Sequence, residues 1–267
     1  MIMSPSSYLF LGVGGMGMAP LASWLSNSGI DISGYDDALQ ERTREFLVAS
    51  GVQLMEFIFP EHLDSYQMIV YSSAITPEHT ILQEAQARGI PTIRRGEMLA
   101  KVSQQKRLIA IAGSHGKTTT TGLIAHILRQ CNFDVNYIVG GHFNEPSLQP
   151  SNYSSSDWLI AEIDESDGTI DQFIPEVTVL LNAEWDHTDY YTSEQSIHDA
   201  FAGIIERTKS TIFAPDYLCS HFTAPANASL IALPPLELYQ VDPPKMCETN
   251  EGNAAAALAV VNYICNT

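Results

Sequence analysis

The chain has 267 residues, 45% hydrophobic and 16% charged, with 31 acidic against 13 basic side chains and a formal net charge of -18. That apolar content can fill two modest cores, while the acidic balance repels nucleic acid and anionic membrane at long range, so neither is expected as a partner. The first residues lack a signal-peptide pattern, the longest apolar run, from Ala254, is too short to span a bilayer, and Cys131, Cys219, Cys247 and Cys265 form no C-x-x-C pair. A cytoplasmic protein without a structural zinc or a disulfide framework is expected.

The first element is an apolar strand running into glycines, "YLFLGVGGMGMAP", with Gly12, Gly14 and Gly17 in G-x-G-x-x-G register and Asp36 and Asp37 where a ribose carboxylate would sit. Read alone, this loop suits NAD or any other diphosphate held at a helix N-terminus. Further apolar strands follow at "IDISGYD", "MIVYSSA", "RLIAIAG", "VNYIVGG", "WLIAEID", "VTVLLNA" and "STIFAPD", alternating with helical patterns. That order predicts an α/β protein with parallel sheets. Thr76 is read as a helix cap, Pro77 as the first helical residue and Gly89 as the stop after "EHTILQEAQARG". The polar stretch Lys101 to Arg107 divides the chain into two α/β domains, 1–105 and 106–267.

The sharpest signal is "IAIAGSHGKTTTTGLIAHIL", in which a strand ends in a glycine turn and Lys117 and Thr118 open a helix. Backbone N–H groups there can cradle phosphates, Lys117 can reach the β- and γ-phosphates, and the Thr118 hydroxyl can ligate Mg2+. Ile111 stands where the strict phosphate-loop pattern has glycine. Two later strand ends are polar: "LIAEIDESDG" carries Glu162, Asp164, Glu165 and Asp167, natural Mg2+ ligands, and "LLNAEWDHTDYY" carries Asn182, Glu184, Asp186, His187 and Asp189. In open parallel sheets such ends share the ligand-binding edge, which favours a functional over a merely capping His187. The Pro-rich segment Ala232 to Lys245 reads as a loop or degenerate hairpin before a final Ala-rich helix.

The stretches "FLGVGGMGMAPLA", "SGYD", "YSSAI", "IPTIRRGEMLA", "IAGSHGKTTTT", "AEIDESDG", "NAEWDHTDYY" and "NEGNAAAALAVV", from Phe10 to Val261, resemble the Mur ligase family in family order. The resemblance implies an N-terminal Rossmann-like domain for a UDP-sugar over 1–105 and a shortened P-loop central domain for ATP over 106–267. It implies an ATP-dependent ligase of peptidoglycan precursor synthesis that joins L-alanine to UDP-N-acetylmuramate through an acyl phosphate, with Mg2+; "IRRGEML" and "DESD" favour the alanine-adding branch. No nucleophilic triad is needed.

Carried over residue by residue, Lys117, Glu162 and His187 are catalytic, and Thr118, Glu162 and His187 are metal ligands. Gly113, Ser114, His115, Gly116, Lys117, Thr118 and Thr119 hold the ATP phosphates. Asn250 and Asn253 hold the adenine, with Thr249 in place of the family's usual histidine. Gly14, Gly15, Met16, Gly17, Asp36, Ser72, Ser73, Arg94, Arg95, Ser166 and Asp167 hold the UDP-sugar. This turns the first glycine loop from NAD toward a UDP-sugar diphosphate. Family members carry a third, C-terminal domain, and this chain stops after the Asn250 helix. The expectation is therefore a reduced homologue, a fragment, or a chain whose third domain comes from a separate partner chain. The alternative function is a non-catalytic UDP-sugar- and ATP-binding remnant.

Overall fold

The computed structural model describes residues 7–145, 147–186, 190–239 and 248–266. Contacts divide them into a first unit, 7–99 with 140–153, and a second, 100–139 with 154–266. Each is an α/β unit built on parallel strands.

In chain order the first unit contains β1 (Ser7–Leu11), α1 (Met18–Asn27), β2 (Asp31–Tyr35), α2 (Glu41–Ala49), β3 (Gln53–Met55), β4 (Met68–Tyr71), α3 (Thr80–Ala87), β5 (Thr92–Arg94) and the start of α4 (Arg95–Ser103). Its sheet has the order β3-β2-β1-β4-β5, all parallel. The central strand β1 ends in the fully buried Phe10 and Leu11, whereas β3 and β5 at the edges have exposed first residues. Leu9, Leu11, Leu63, Ile69, Ile81 and Leu82 form one buried cluster on a face of this sheet. Each such side chain, once buried, contributes about 2 kcal/mol.

α3 begins later than its sequence suggests. Its cap is His79, whose Nδ1 accepts from the Ile81 N–H at 3.3 Å, and not Thr76. Thr76 and His79 close a turn, with the His79 N–H donating to the Thr76 carbonyl at 3.0 Å, so Pro77 serves the turn and not the helix. Gly89, with φ +70°, ends α3 as expected.

The second unit contains β6 (Arg107–Ala112), α5 (Lys117–Gln130) and β7 (Asn136–Ile138); the segment 140–153, with the short β8 (Ser151–Asn152), groups with the first unit. β9 (Trp158–Glu162), β10 (Val177–Leu180), α6 (Glu194–Glu206), β11 (Thr211–Ala214), α7 (Asp216–Cys219), β12 (Ser229–Ala232) and α8 (Glu248–Cys265) complete it. Its strands follow the order β12-β11-β10-β6-β9-β7 and all run parallel. Ile109, Ile111, Leu159, Ile160, Val177 and Val179 are fully buried, as both-sided coverage by helices requires. α5 and α8 pack against each other, with Gly122 and Ala125 on one helix and Ala256 and Ala257 on the other buried. β12 pairs parallel with β11; the Pro-rich segment after it runs as a loop into a 3-10 helix at Leu236–Tyr239, and 240–247 lie outside the described residues.

Candidate functional site

β6 delivers its chain into the turn Gly113–Gly116, and α5 starts at Lys117. Because β9 and β10 flank β6 and run parallel to it, the loops after all three strands emerge at the same edge. Gly113 has φ +132°, and a Cβ there would lie 3.0 Å from the Asn182 carbonyl oxygen. Gly116 has φ +87°, and a Cβ there would press into the side-chain amide of Asn253, which is buried on α8. Both positions therefore need glycine on conformational and steric grounds.

The turn is tied to the loop after β10. The Asn182 amide oxygen accepts from the His115 N–H at 2.9 Å, the Asn182 amide nitrogen donates to the His115 carbonyl at 3.0 Å, and the Ser114 hydroxyl donates to the Glu184 carbonyl at 2.6 Å. The exposed His115 ring lies 3.7 Å from a Glu184 carboxylate oxygen and 3.9 Å from one of Asp186.

The turn is also tied to the loop after β9. The Lys117 ammonium donates to both Glu165 carboxylate oxygens, at 2.8 and 3.0 Å, and to the Gly113 carbonyl at 2.6 Å. Glu165 is fully buried, and the Tyr191 hydroxyl donates to its main-chain carbonyl at 2.7 Å. The Trp185 indole N–H in turn donates to the Tyr191 carbonyl at 3.0 Å. Burial pushes the Glu165 carboxyl upward, and the Lys117 charge opposes that shift. Burial, followed by the Glu165 charge, also raises Tyr191, so its phenol stays a donor. Beside this pair the Thr118 hydroxyl donates to a Glu162 carboxylate oxygen at 2.6 Å.

A cavity of about 670 Å3 opens beside His115 and Asn182, with Tyr217, Pro234, Pro235 and Leu236 on an apolar side and Glu237, Thr249, Glu251 and Asn253 among its polar lining. Its size and mixed lining suit a small organic ligand with a flat apolar part. Among the described residues no cluster of three or more His, Cys, Asp or Glu side chains stands ready to hold a metal. A hydroxyl and a carboxylate, as at Thr118 and Glu162, do fit a hard cation such as Mg2+, which takes few protein oxygens and keeps the rest of its shell for phosphate and water.

The fold thus brings together Gly113 to Thr118, Glu162 and Asn253. Asn250 is exposed on the first turn of α8. Ser166 is turned onto its own loop, its N–H and hydroxyl donating to Asp164 at 3.0 and 2.7 Å, and Asp167 accepts from the Thr169 N–H at 3.0 Å. His187 and Asp189 lie outside the described residues. Glu165, grouped in the sequence with the cation-binding carboxylates, engages a lysine here. Tyr191, Tyr217 and Leu236 were not legible as site residues: aromatic and apolar side chains in loops carry no distinguishing spacing.

In the first unit the glycine turn gathers three distant segments. A Cβ on Gly12 would lie 3.0 Å from that of Ser72, and one on Gly17 would lie 2.9 Å from Cδ of Arg95. The Gly14 N–H donates to Asp36 at 2.8 Å, so this carboxylate braces the turn. Arg94 pairs with Glu97 at 3.1 Å, at the start of α4.

Residues 7–107 match the Mur ligase family, catalytic domain, and residues 111–228 match the Mur ligase middle domain. The chain belongs to the Mur ligase family. Among Mur ligases, the UDP-N-acetylmuramate--L-alanine ligase of Aquifex aeolicus is 38% identical over 192 residues, which is 72% of this chain and 42% of that protein. The enzyme of the same name from Sorangium cellulosum is 40% identical over 198 residues, 74% and 42% respectively. The chain spans about 42% of the length of these curated relatives. In fold it is similar to the UDP-N-acetylmuramate:L-alanyl-gamma-D-glutamyl-meso-diaminopimelate ligase of Neisseria meningitides, with TM-score 0.78, 20% identity, and 98% of this chain and 94% of that chain covered. It is likewise similar to the UDP-N-acetylmuramate-alanine ligase of Thermotoga maritima, with TM-score 0.76, 20% identity, and coverage of 97% and 65%. Both Mur units of the α/β fold are thus shared, and among the described residues no helix is long and apolar enough to cross a membrane.

Proposed function

We propose that this chain binds ATP through residues 106–267 and a UDP-sugar through residues 1–105, as part of an ATP-dependent ligase joining L-alanine to UDP-N-acetylmuramate in the cytoplasm, a step of peptidoglycan precursor synthesis. The observation that carries the reading is the placement of Lys117 and Thr118 at the start of α5, with the Thr118 hydroxyl 2.6 Å from Glu162 and the cavity adjoining the same turn. The names of the relatives support the choice of substrates.

Two anions must meet in such a reaction, the terminal phosphate and the muramoyl carboxylate. Lys117 offsets their repulsion, and the N-terminal N–H groups of α5 fix the phosphate in line with it. Thr118 and Glu162 would hold Mg2+, which when bound supplies further charge neutralisation. The apolar wall of Tyr217, Pro234 and Leu236 receives the purine, with the Asn253 amide beside it. In the first unit the turn Gly14 to Gly17 receives the UDP diphosphate, with Arg95 at its end and Ser72, Ser73 and Arg94 at the neighbouring strand ends. The muramoyl carboxylate would attack the terminal phosphorus as ADP leaves, giving an acyl phosphate, and the alanine amine would then attack the acyl carbon, losing a proton as inorganic phosphate departs and the amide forms.

Calorimetry with Mg-ATP tests the site: wild type binds, and Lys117→Ala binds at least about tenfold more weakly. Equal affinity in the two proteins would refute the assignment. Phosphate release from ATP that requires both UDP-N-acetylmuramate and L-alanine tests the reaction, and release independent of either substrate counts against the ligase reading.

A further inference from the structure

Lys117 has a full set of acceptors within the protein. An ammonium has three N–H donors. Here they meet the Gly113 carbonyl at 2.6 Å and the Glu165 carboxylate at 2.8 and 3.0 Å, with the Ser114 carbonyl further off at 3.4 Å. Glu165 is no mobile surface acid. It has no exposed surface, and its main-chain carbonyl is held by the buried Tyr191.

We propose that Glu165 is a positioning residue that acts through Lys117: it holds the ammonium against the phosphate turn, and an entering polyphosphate must displace it. The proposal rests on the nucleotide reading above. Its physical basis is competition. The same three donors cannot serve both Glu165 carboxylate oxygens, the Gly113 carbonyl and a phosphate at once, and a fixed negative charge behind the lysine repels any anion approaching from the front. A buried ion pair by itself contributes little to stability, because desolvation offsets the attraction. Its placement on the phosphate-loop lysine is therefore better explained by control of that lysine. Glu165 sets a threshold for entry: a ligand with several anionic oxygens, or one accompanied by a divalent cation, overcomes it, whereas a monoanion does not.

The consequence has a sign that a merely structural carboxylate does not share. If Glu165 only braced the loop, its loss would loosen the turn and weaken binding. As a competitor, its neutralisation strengthens binding. The probes are Mg-ATP and, separately, inorganic pyrophosphate, titrated calorimetrically into the whole chain. Glu165→Gln keeps the shape and removes the charge, and it is expected to tighten both ligands by about tenfold. Glu165→Asp keeps the charge but shortens the reach, and tightens them by a smaller factor. A folded Glu165→Gln protein that binds no more tightly than wild type overturns the proposal; should that variant fail to fold, Glu165→Asp decides by the same criterion. Wild-type binding that Lys117→Ala weakens and Glu165→Gln leaves unchanged overturns this proposal alone. Absence of nucleotide binding in wild type overturns the nucleotide reading and this inference with it.

Discussion

Asn182 grips the backbone of His115 from both sides, accepting its N–H at 2.9 Å and donating to its carbonyl at 3.0 Å. Asn182 lies just past β10 and His115 in the middle of the phosphate turn, so a strand end fixes the loop of its neighbour. The His115 N–H is thereby committed to the frame of the turn. Asn182→Ala removes both bonds and is expected to destabilise the protein by about 1 to 2 kcal/mol in urea denaturation. It should also weaken Mg-ATP, because the loosened turn must be ordered on binding. Unchanged stability would show that solvent replaces both bonds at no cost.

Gly116 makes a stricter demand. An alanine there meets both the left-handed backbone, φ +87°, and the buried Asn253 amide. Gly116→Ala should cost about 2 kcal/mol or more. The double variant with Asn253→Ala relieves the clash and leaves the backbone strain. A coupling of about 1 kcal/mol in the urea midpoints is the expected signature, and strict additivity would deny the contact.

Gly17 is a milder case, and useful for that reason. Its φ of -91° accepts alanine, but the methyl would reach the Arg95 side chain. Gly17→Ala should change stability by less than about 0.5 kcal/mol while weakening UDP-N-acetylmuramate severalfold. Mg-ATP affinity should not move. A loss of both ligands together would argue against assigning them to separate units.

Histidine 142 gives the first unit a pH dependence. Its Nε2 lies 3.2 Å from the Thr43 hydroxyl, its ring stands edge-on to Phe46, and burial, followed by the charge of Arg42, lowers its pKa from the ordinary 6.5. The folded state then binds the proton less readily than the unfolded chain. Stability from this group is complete above pH 6.5 and falls as the pH drops from there through the lowered folded value. His142→Gln should therefore show a smaller loss of urea midpoint between pH 7.5 and 5.5 than wild type.

The parts of the fold visible in the sequence are those buried on two faces. β6, β9, β10 and β11 read as apolar runs because helices cover both sides of them. β3, β5 and β12 carry no such signal: they lie at sheet edges and expose residues such as Gln53, Thr92 and Ser229, and β3 and β5 are only three residues long. The phosphate turn was legible because its chemistry is local, a strand, two glycines, a lysine and a threonine in one stretch. The partner of Lys117 was not. Nothing in "DESD" says which carboxylate turns inward; that depends on Tyr191, 26 residues further on, which fixes the Glu165 carbonyl.

The position of β6 between β9 and β10 has a consequence for biosynthesis. A ribosome delivers Lys117 well before Glu165, and Asn182 later still. Until Glu165 has emerged the lysine lacks its counterion, and until Asn182 has emerged the turn lacks its brace. Restraint of the phosphate-loop lysine and bracing of its turn therefore arrive in two successive steps, the first with the loop after β9 and the second with the loop after β10.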